Sequence, residues 1–264
     1  MSNQTQMTAT DAASETITVN RITTADLRDV LRKGLDDFYA RPTHVIFLCV
    51  IYPVVAVILI RAAFGYEMLP LIFPLISGFA LVGPLAATGL YELSRRREKG
   101  RDYAWWHVFD VLQAPSRGAL AIMGLVMAAI FVAWLQTALL IYNLFFGDSI
   151  PESVGAFLNQ VFTTPEGWGL IVVGVAAGFA FAAVVFAISV VSLPMLMHRK
   201  VSGLKAVETS VRAVLANPKP MIAWGLIVVG ALIVGSLPLF IGLAIVMPVL
   251  GHSTWHLYRR LVSY

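Results

Sequence analysis

The chain has 264 residues, of which 58% are apolar and only 13% charged, with a mean hydropathy of +0.79. Soluble domains carry about one quarter charged residues, so these values exclude a water-soluble globular fold and point to an integral membrane protein. The net charge of +4 comes from basic runs beside apolar segments, which membrane orientation and lipid headgroups explain without nucleic acid.

Residues 1–21 read as a disordered cytoplasmic tail, polar and rich in Thr and Ser, without the pattern of a secretory signal. Residues 22–264 read as one membrane domain. It opens on an amphipathic helix: Thr23 and Asp26 have the spacing of a capping box, and Leu27, Val30, Leu31, Leu35, Phe38 and Tyr39 share one face. Arg28, Asp29, Arg32, Lys33, Asp36 and Asp37 form the opposite, polar face. A span needs roughly 20 apolar residues, and the first two fall at about 44–60 and 68–91, joined by a turn at Gly65-Tyr66-Glu67. The lone cysteine, Cys49, is a small hydrophobe of the first span, and no internal disulfide is possible.

The charge run Arg95, Arg96, Arg97, Lys99 and Arg101 follows, and with Arg259 and Arg260 it is assigned to lipid headgroups. Trp105, Trp106, Val108, Phe109, Val111 and Leu112 make a second, aromatic amphipathic helix before the span 118–146. Ser153 to Phe162 suits a short interfacial helix, and Trp168 marks the start of the span 168–197 as an interfacial aromatic. In that span Gly174, Gly178 and Ala182 form a small-residue stripe for close helix packing, within the chain or with another. The third amphipathic helix places Leu204, Val207, Val211, Val214 and Leu215 opposite Lys205, Glu208 and Arg212. The remaining apolar region is too long for one span and is divided at Gly235-Ser236-Leu237-Pro238 into 221–235 and 238–257.

The charge distribution supports six spans, because 18 of the 19 basic residues then lie on one side and only Arg61 on the other. That side is cytoplasmic by the positive-inside rule, with both termini. An internal repeat agrees: Phe79 to Pro84 with Tyr91, Leu93, Arg95 and Arg96 matches Leu243 to Pro248 with Trp255, Leu257, Arg259 and Arg260 at an offset of 164. The expected architecture is all-α, a polytopic bundle of six transmembrane helices in three hairpins, each preceded by a cytoplasmic amphipathic helix.

The spans hold no Asp, Glu, Lys or Arg, which argues against a proton-driven pump or an ion-coupled carrier built by this chain alone. His252 and His256, four residues apart, have the spacing of a metal pair; their counterparts in the repeat are Thr88 and Glu92, so interfacial histidines are the simpler reading. No phosphate loop, paired catalytic carboxylates or nucleophile elbow is present. No cofactor and no enzymatic activity are expected.

The segments Phe38 to Pro42, Tyr91 to Arg97, Ser202 to Val207 and Ala216 to Pro218 give the stretch from Ile22 to Tyr264 a layout that resembles a family of uncharacterised bacterial integral membrane proteins, often labelled cytochrome c oxidase subunit I-like. The resemblance implies a bacterial inner-membrane protein associated with respiration, with no catalytic residues to carry over. Five histidines in all are too few for the haems and copper of the catalytic oxidase subunit. The expected role is a non-enzymatic accessory or assembly component contacting lipids and a membrane-protein partner or a second copy. The alternative is a small-molecule or lipid translocator, which a mid-membrane pocket lined by Ser77, Gln136, Ser189 or Ser192 would favour. A lipid-modifying membrane enzyme is the third reading.

Overall fold

A computed structural model describes residues 17–40, 70–147, 151, 153–237 and 241–264. The first span at 44–60, Cys49, His44 and the turn at Gly65-Tyr66-Glu67 lie outside them. Helices dominate: α1 (Thr24–Ala40), α2 (Ile72–Ala86), α3 (Thr88–Glu98), a 3-10 helix (Trp105–Gln113), α4 (Arg117–Phe146) and α5 (Val154–Thr163) are followed by α6 (Pro165–Ser189), α7 (Ser192–His198), α8 (Gly203–Ala216), α9 (Pro218–Ser236) and α10 (Leu243–Leu261). Two short strands, β1 (Thr18–Val19) and β2 (Val262–Ser263), pair antiparallel and join the two ends of the described chain.

Among the described residues, four helical stretches are long and apolar enough to cross a bilayer: α2 with α3 (Ile72–Glu98), α4, α6 with α7 (Pro165–His198), and α9. Their ends follow local chemistry. Thr164 accepts from the Gly167 N–H at 3.0 Å with Pro165 in the first turn of α6, and Pro218 opens α9. Gly147 stops α4 at φ 63°, a conformation with little cost only for glycine. Pro84 withholds one helical donor and α2 gives way to α3 at Ala87. α10 carries Pro248 without a break, and it is not among the four candidate spans. It nevertheless returns along α9, since the α-carbon of Gly235 faces Leu243 and Val246.

The hydrophobic core lies mostly at one end of the bundle. Of the most apolar stretch of α6 and α7 only 6% is fully buried inside the protein, and one side of the helix, with Ala177, Phe181, Ala182 and Phe186, packs against the core. The short helix α7, in contrast, is buried except at His198, with Leu193, Met195, Leu196 and Met197 fully enclosed. Trp255, Leu257, Tyr258 and Leu261 of α10 join them, with Ala206 and Ala213 of α8. Each enclosed Leu or Met contributes about 1.5–3 kcal/mol. These residues form a packed cap, and the turn at Val190–Val191 divides the 168–197 stretch into a long apolar helix and a cap helix.

The amphipathic helices build this cap. α1 begins as its capping box specifies: the Thr23 N–H donates to Asp26 Oδ2 at 2.7 Å and the Asp26 N–H faces Thr23 Oγ1 at 3.4 Å. Its inner face, Leu27, Val30, Gly34, Asp37 and Phe38, packs on α10 while Leu35 and Tyr39 stay exposed. The apolar face of this amphipathic helix is thus turned onto a helix of the same chain, and Asp37, from its polar side, is buried. α8 departs similarly, burying Ala206, Thr209, Ser210 and Ala213 and exposing Leu204 and Leu215, because close helix approach favours small residues. The aromatic segment is a 3-10 helix rather than an α-helix, with no buried residue.

Candidate functional site

The chain ends are locked by polar contacts in the cap. Asn217, 2% exposed, accepts from the Ile22 N–H at 2.8 Å and donates to the carbonyls of Asn20 and Ala213 at 3.0 and 3.1 Å. Arg260 pairs with Asp26 from the far end of α10. Part of the segment assigned to the tail therefore forms β1 and its hydrogen bonds.

At the other end of the α1–α10 contact, α1 supplies Asp37, α3 supplies Ser94 and Arg97, and α10 supplies His252 and His256. The Ser94 hydroxyl donates to Asp37 Oδ2 at 2.6 Å, His256 Nε2 lies 2.9 Å from the same oxygen, and Arg97 pairs with Oδ1. His252 Nδ1 is 2.6 Å from Ser94 Oγ. Since that hydroxyl gives its proton to Asp37, Nδ1–H of His252 is the donor, leaving Nε2 a bare acceptor, buried and without a protein partner. Burial opposes charge on Asp37, but the His256 hydrogen bond, the neighbouring His252 and the Ser94 hydrogen bond together hold the carboxyl below its ordinary range. An open cleft of about 470 Å³ borders the cluster, lined by both signs of charge, among them Lys33, Asp36, Arg97 and Arg259.

Chemically, the cluster fits a latch better than a reacting centre. Ser94 is 1% exposed with its proton committed, so it is not poised as a nucleophile. His252 and His256, singled out by their spacing, are both drawn to Asp37, and among the described residues no group of three or more His, Cys, Asp or Glu has the arrangement to hold a metal ion. Sequence reasoning missed Asp37 and Ser94. Their partners lie 57 to 219 residues away in the chain.

The basic residues assigned to headgroups divide into two groups. Arg95 and Arg96 close on Glu92, itself 1% exposed, and Arg96 reaches Asp110, which also meets His107 Nδ1 at 2.7 Å. Arg97 pairs with Asp37, Arg259 with Glu98, and Arg260 with Asp26. Lys99 and Arg101 stand exposed on the turn after α3. In the small-residue stripe, a Cβ at Gly178 would lie 3.2 Å from the Trp134 ring of α4, whereas Gly174 has nothing within 4 Å. Ala182 packs at the edge of the core beside Phe181, whose ring lies 5.6 Å from that of Trp134. Of the polar residues named for a mid-membrane pocket, Ser77 bonds back to its own helix, Ser192 donates to the Ile188 carbonyl of α6, Ser189 is buried with its hydroxyl unpartnered, and Gln136 is exposed.

Residues 72–198 match the model of a family described as a predicted integral membrane protein (DUF2189), a description that carries no activity. No curated protein and no solved structure matches the chain.

Proposed function

We propose that this integral membrane protein is a non-enzymatic accessory or assembly component of a membrane complex in a bacterial inner membrane. The observation that carries the reading is the contrast between the two ends of its own structure. In the cap, charged groups spend themselves on one another, as Asp37 does on Arg97 and His256 and Glu92 on Arg95 and Arg96, and a rigid latch results. Along the spans, α4 and α6 present largely apolar faces, with Leu125, Leu140, Leu144, Val172 and Phe179 all well exposed. Such faces suit helix-on-helix contact with another membrane protein, and Gly174 leaves room for a close approach. The reading includes six spans with both termini cytoplasmic, supported by the basic bias and by the return of α10 along α9.

The test is purification of the tagged protein from native membranes in mild detergent, with native mass measurement of the recovered species. A membrane-protein partner at fixed stoichiometry, lost on Gly174→Leu while the chain itself stays folded, is the expected result. Recovery of the chain alone, with the same mass before and after Gly174→Leu, contradicts the accessory role.

A further inference from the structure

We propose that the aromatic 3-10 helix Trp105–Gln113 is an interfacial anchor, seated in the phospholipid headgroup layer of the leaflet that faces the cap. The inference rests on the chain crossing a bilayer and is independent of the accessory role. Three observations lead to it.

The first is the exposure of large apolar groups on an element with no buried residue: Trp106 is 52% exposed, Phe109 58% and Leu112 71%. In a soluble setting this row would be a liability. Tryptophan rings instead favour the headgroup level, where the ring meets acyl chain and the indole N–H meets water or phosphate.

The second is position. The segment joins two candidate spans directly, following Ile72–Glu98 and preceding Arg117–Phe146, so continuity with the lipid-facing helices keeps it near the bilayer surface. Its opposite side is fixed to the protein: Asp110 meets Arg96 and His107, and Val108 sits where a Cβ on Gly89 would lie 3.0 Å away. The aromatic side is left pointing outward from a rigid mount, with Trp105 edge-on to both Trp106 and Phe109 at 6.2 and 6.5 Å.

The third is charge. The segment is bracketed by exposed Lys99 and Arg101 before it and exposed Arg117 after it, cations suited to headgroup phosphates. Arg95, Arg96 and Arg97, which the sequence offers first for that contact, are already held by Glu92, Asp110 and Asp37. Lipid contact on this side thus passes from the arginine run to the aromatic row and its flanking cations.

The experiment uses the full chain with Trp168→Phe, reconstituted in nanodiscs of mixed phosphatidylcholine and phosphatidylglycerol carrying lipid brominated either high or low on the acyl chain. Trp134, Trp224 and Trp255 are buried, so Trp105 and Trp106 dominate the quenchable emission. Strong quenching by the shallow label, weak quenching by the deep label, and loss of most of the shallow quenching on Trp105→Phe/Trp106→Phe are expected. Quenching of the pair by aqueous acrylamide with none by lipid, or by neither, overturns the proposal. The single variant Trp106→Phe, which keeps the Trp105–Phe109 contact, should lose about half the signal, one of two indoles, and guards against misfolding of the double variant.

Discussion

Replacing Gly34 with alanine adds one methyl group at the tightest point between α1 and α10. A Cβ there would lie 1.9 Å from Ser253 Oγ and 2.8 Å from the Ser253 backbone nitrogen. A hydroxyl can rotate away, but the backbone nitrogen cannot, so the helices must part. Parting also loosens Leu27 and Val30, which are 3% and 2% exposed in the contact. Overpacking of this kind costs about 1–3 kcal/mol, and more when backbone must move. Against it stands a helix-propensity gain of about 1 kcal/mol for Gly→Ala, so a net loss of up to roughly 2 kcal/mol, and more with the backbone movement this contact forces, is expected. Thermal unfolding in dodecyl maltoside, read by intrinsic fluorescence and by proteolysis of α1, measures it. Gly230→Ala on α9, which has nothing within 4 Å, is the control and should be neutral or slightly stabilising. Ser253→Gly should restore part of the loss, because the nitrogen contact survives it. A Gly34→Ala protein as stable as the parent would refute the packing of α1 on α10.

Asp37→Asn removes the charge that holds Arg97 and His256; with Arg97 partly solvated, about 1–3 kcal/mol of stability should go, measured by the same melts, and an unchanged midpoint would contradict the latch. Asn217→Ala leaves the Ile22 N–H and Asn20 carbonyl without their partner, so limited proteolysis near residue 20 should accelerate several-fold while the spans stay intact. The hydrogen bond from Thr23 and the pairing with Arg260 hold Asp26 at about 2, against an ordinary 3.8. Because the folded value is the lower one, its stabilisation is complete above the ordinary value and is lost as pH falls from about 4 towards 2. Melting temperature should drop through that window and drop less in Asp26→Asn; identical slopes would count against the pairing.

The long apolar helices were legible because hydropathy alone decides them: the expected 118–146 and 221–235 meet α4 at Arg117–Phe146 and α9 at Pro218–Ser236. The cap was not. Amphipathic spacing is the same whether a helix lies on lipid or on another helix, so the pattern of α1 carried no sign of α10. In α8 the eye follows Leu204 and Leu215, yet the packed face is Ala206, Thr209, Ser210 and Ala213, since small groups permit backbones to approach. The repeat does correspond to similar burial: Tyr91 and Trp255, and Leu93 and Leu257, are all enclosed, and each pair leads into paired arginines. The Asp37 cluster escaped reading because it is assembled from three helices distant in sequence, and a carboxylate on a charged helix face gives no local sign of burial.

The two ends of the described chain meet in the cap. Thr18 and Ser263 are register partners with hydroxyls 2.8 Å apart, near enough for two sulfurs in their place to bond. Thr18→Cys with Ser263→Cys, in a chain whose single native cysteine, Cys49, is replaced by serine, should oxidise in native membranes to one intramolecular disulfide. It would be read as a mobility shift that reductant reverses, with no free thiol left to label. Two freely labelled thiols and no shift under the same oxidation would contradict the joined ends and the cap built on them.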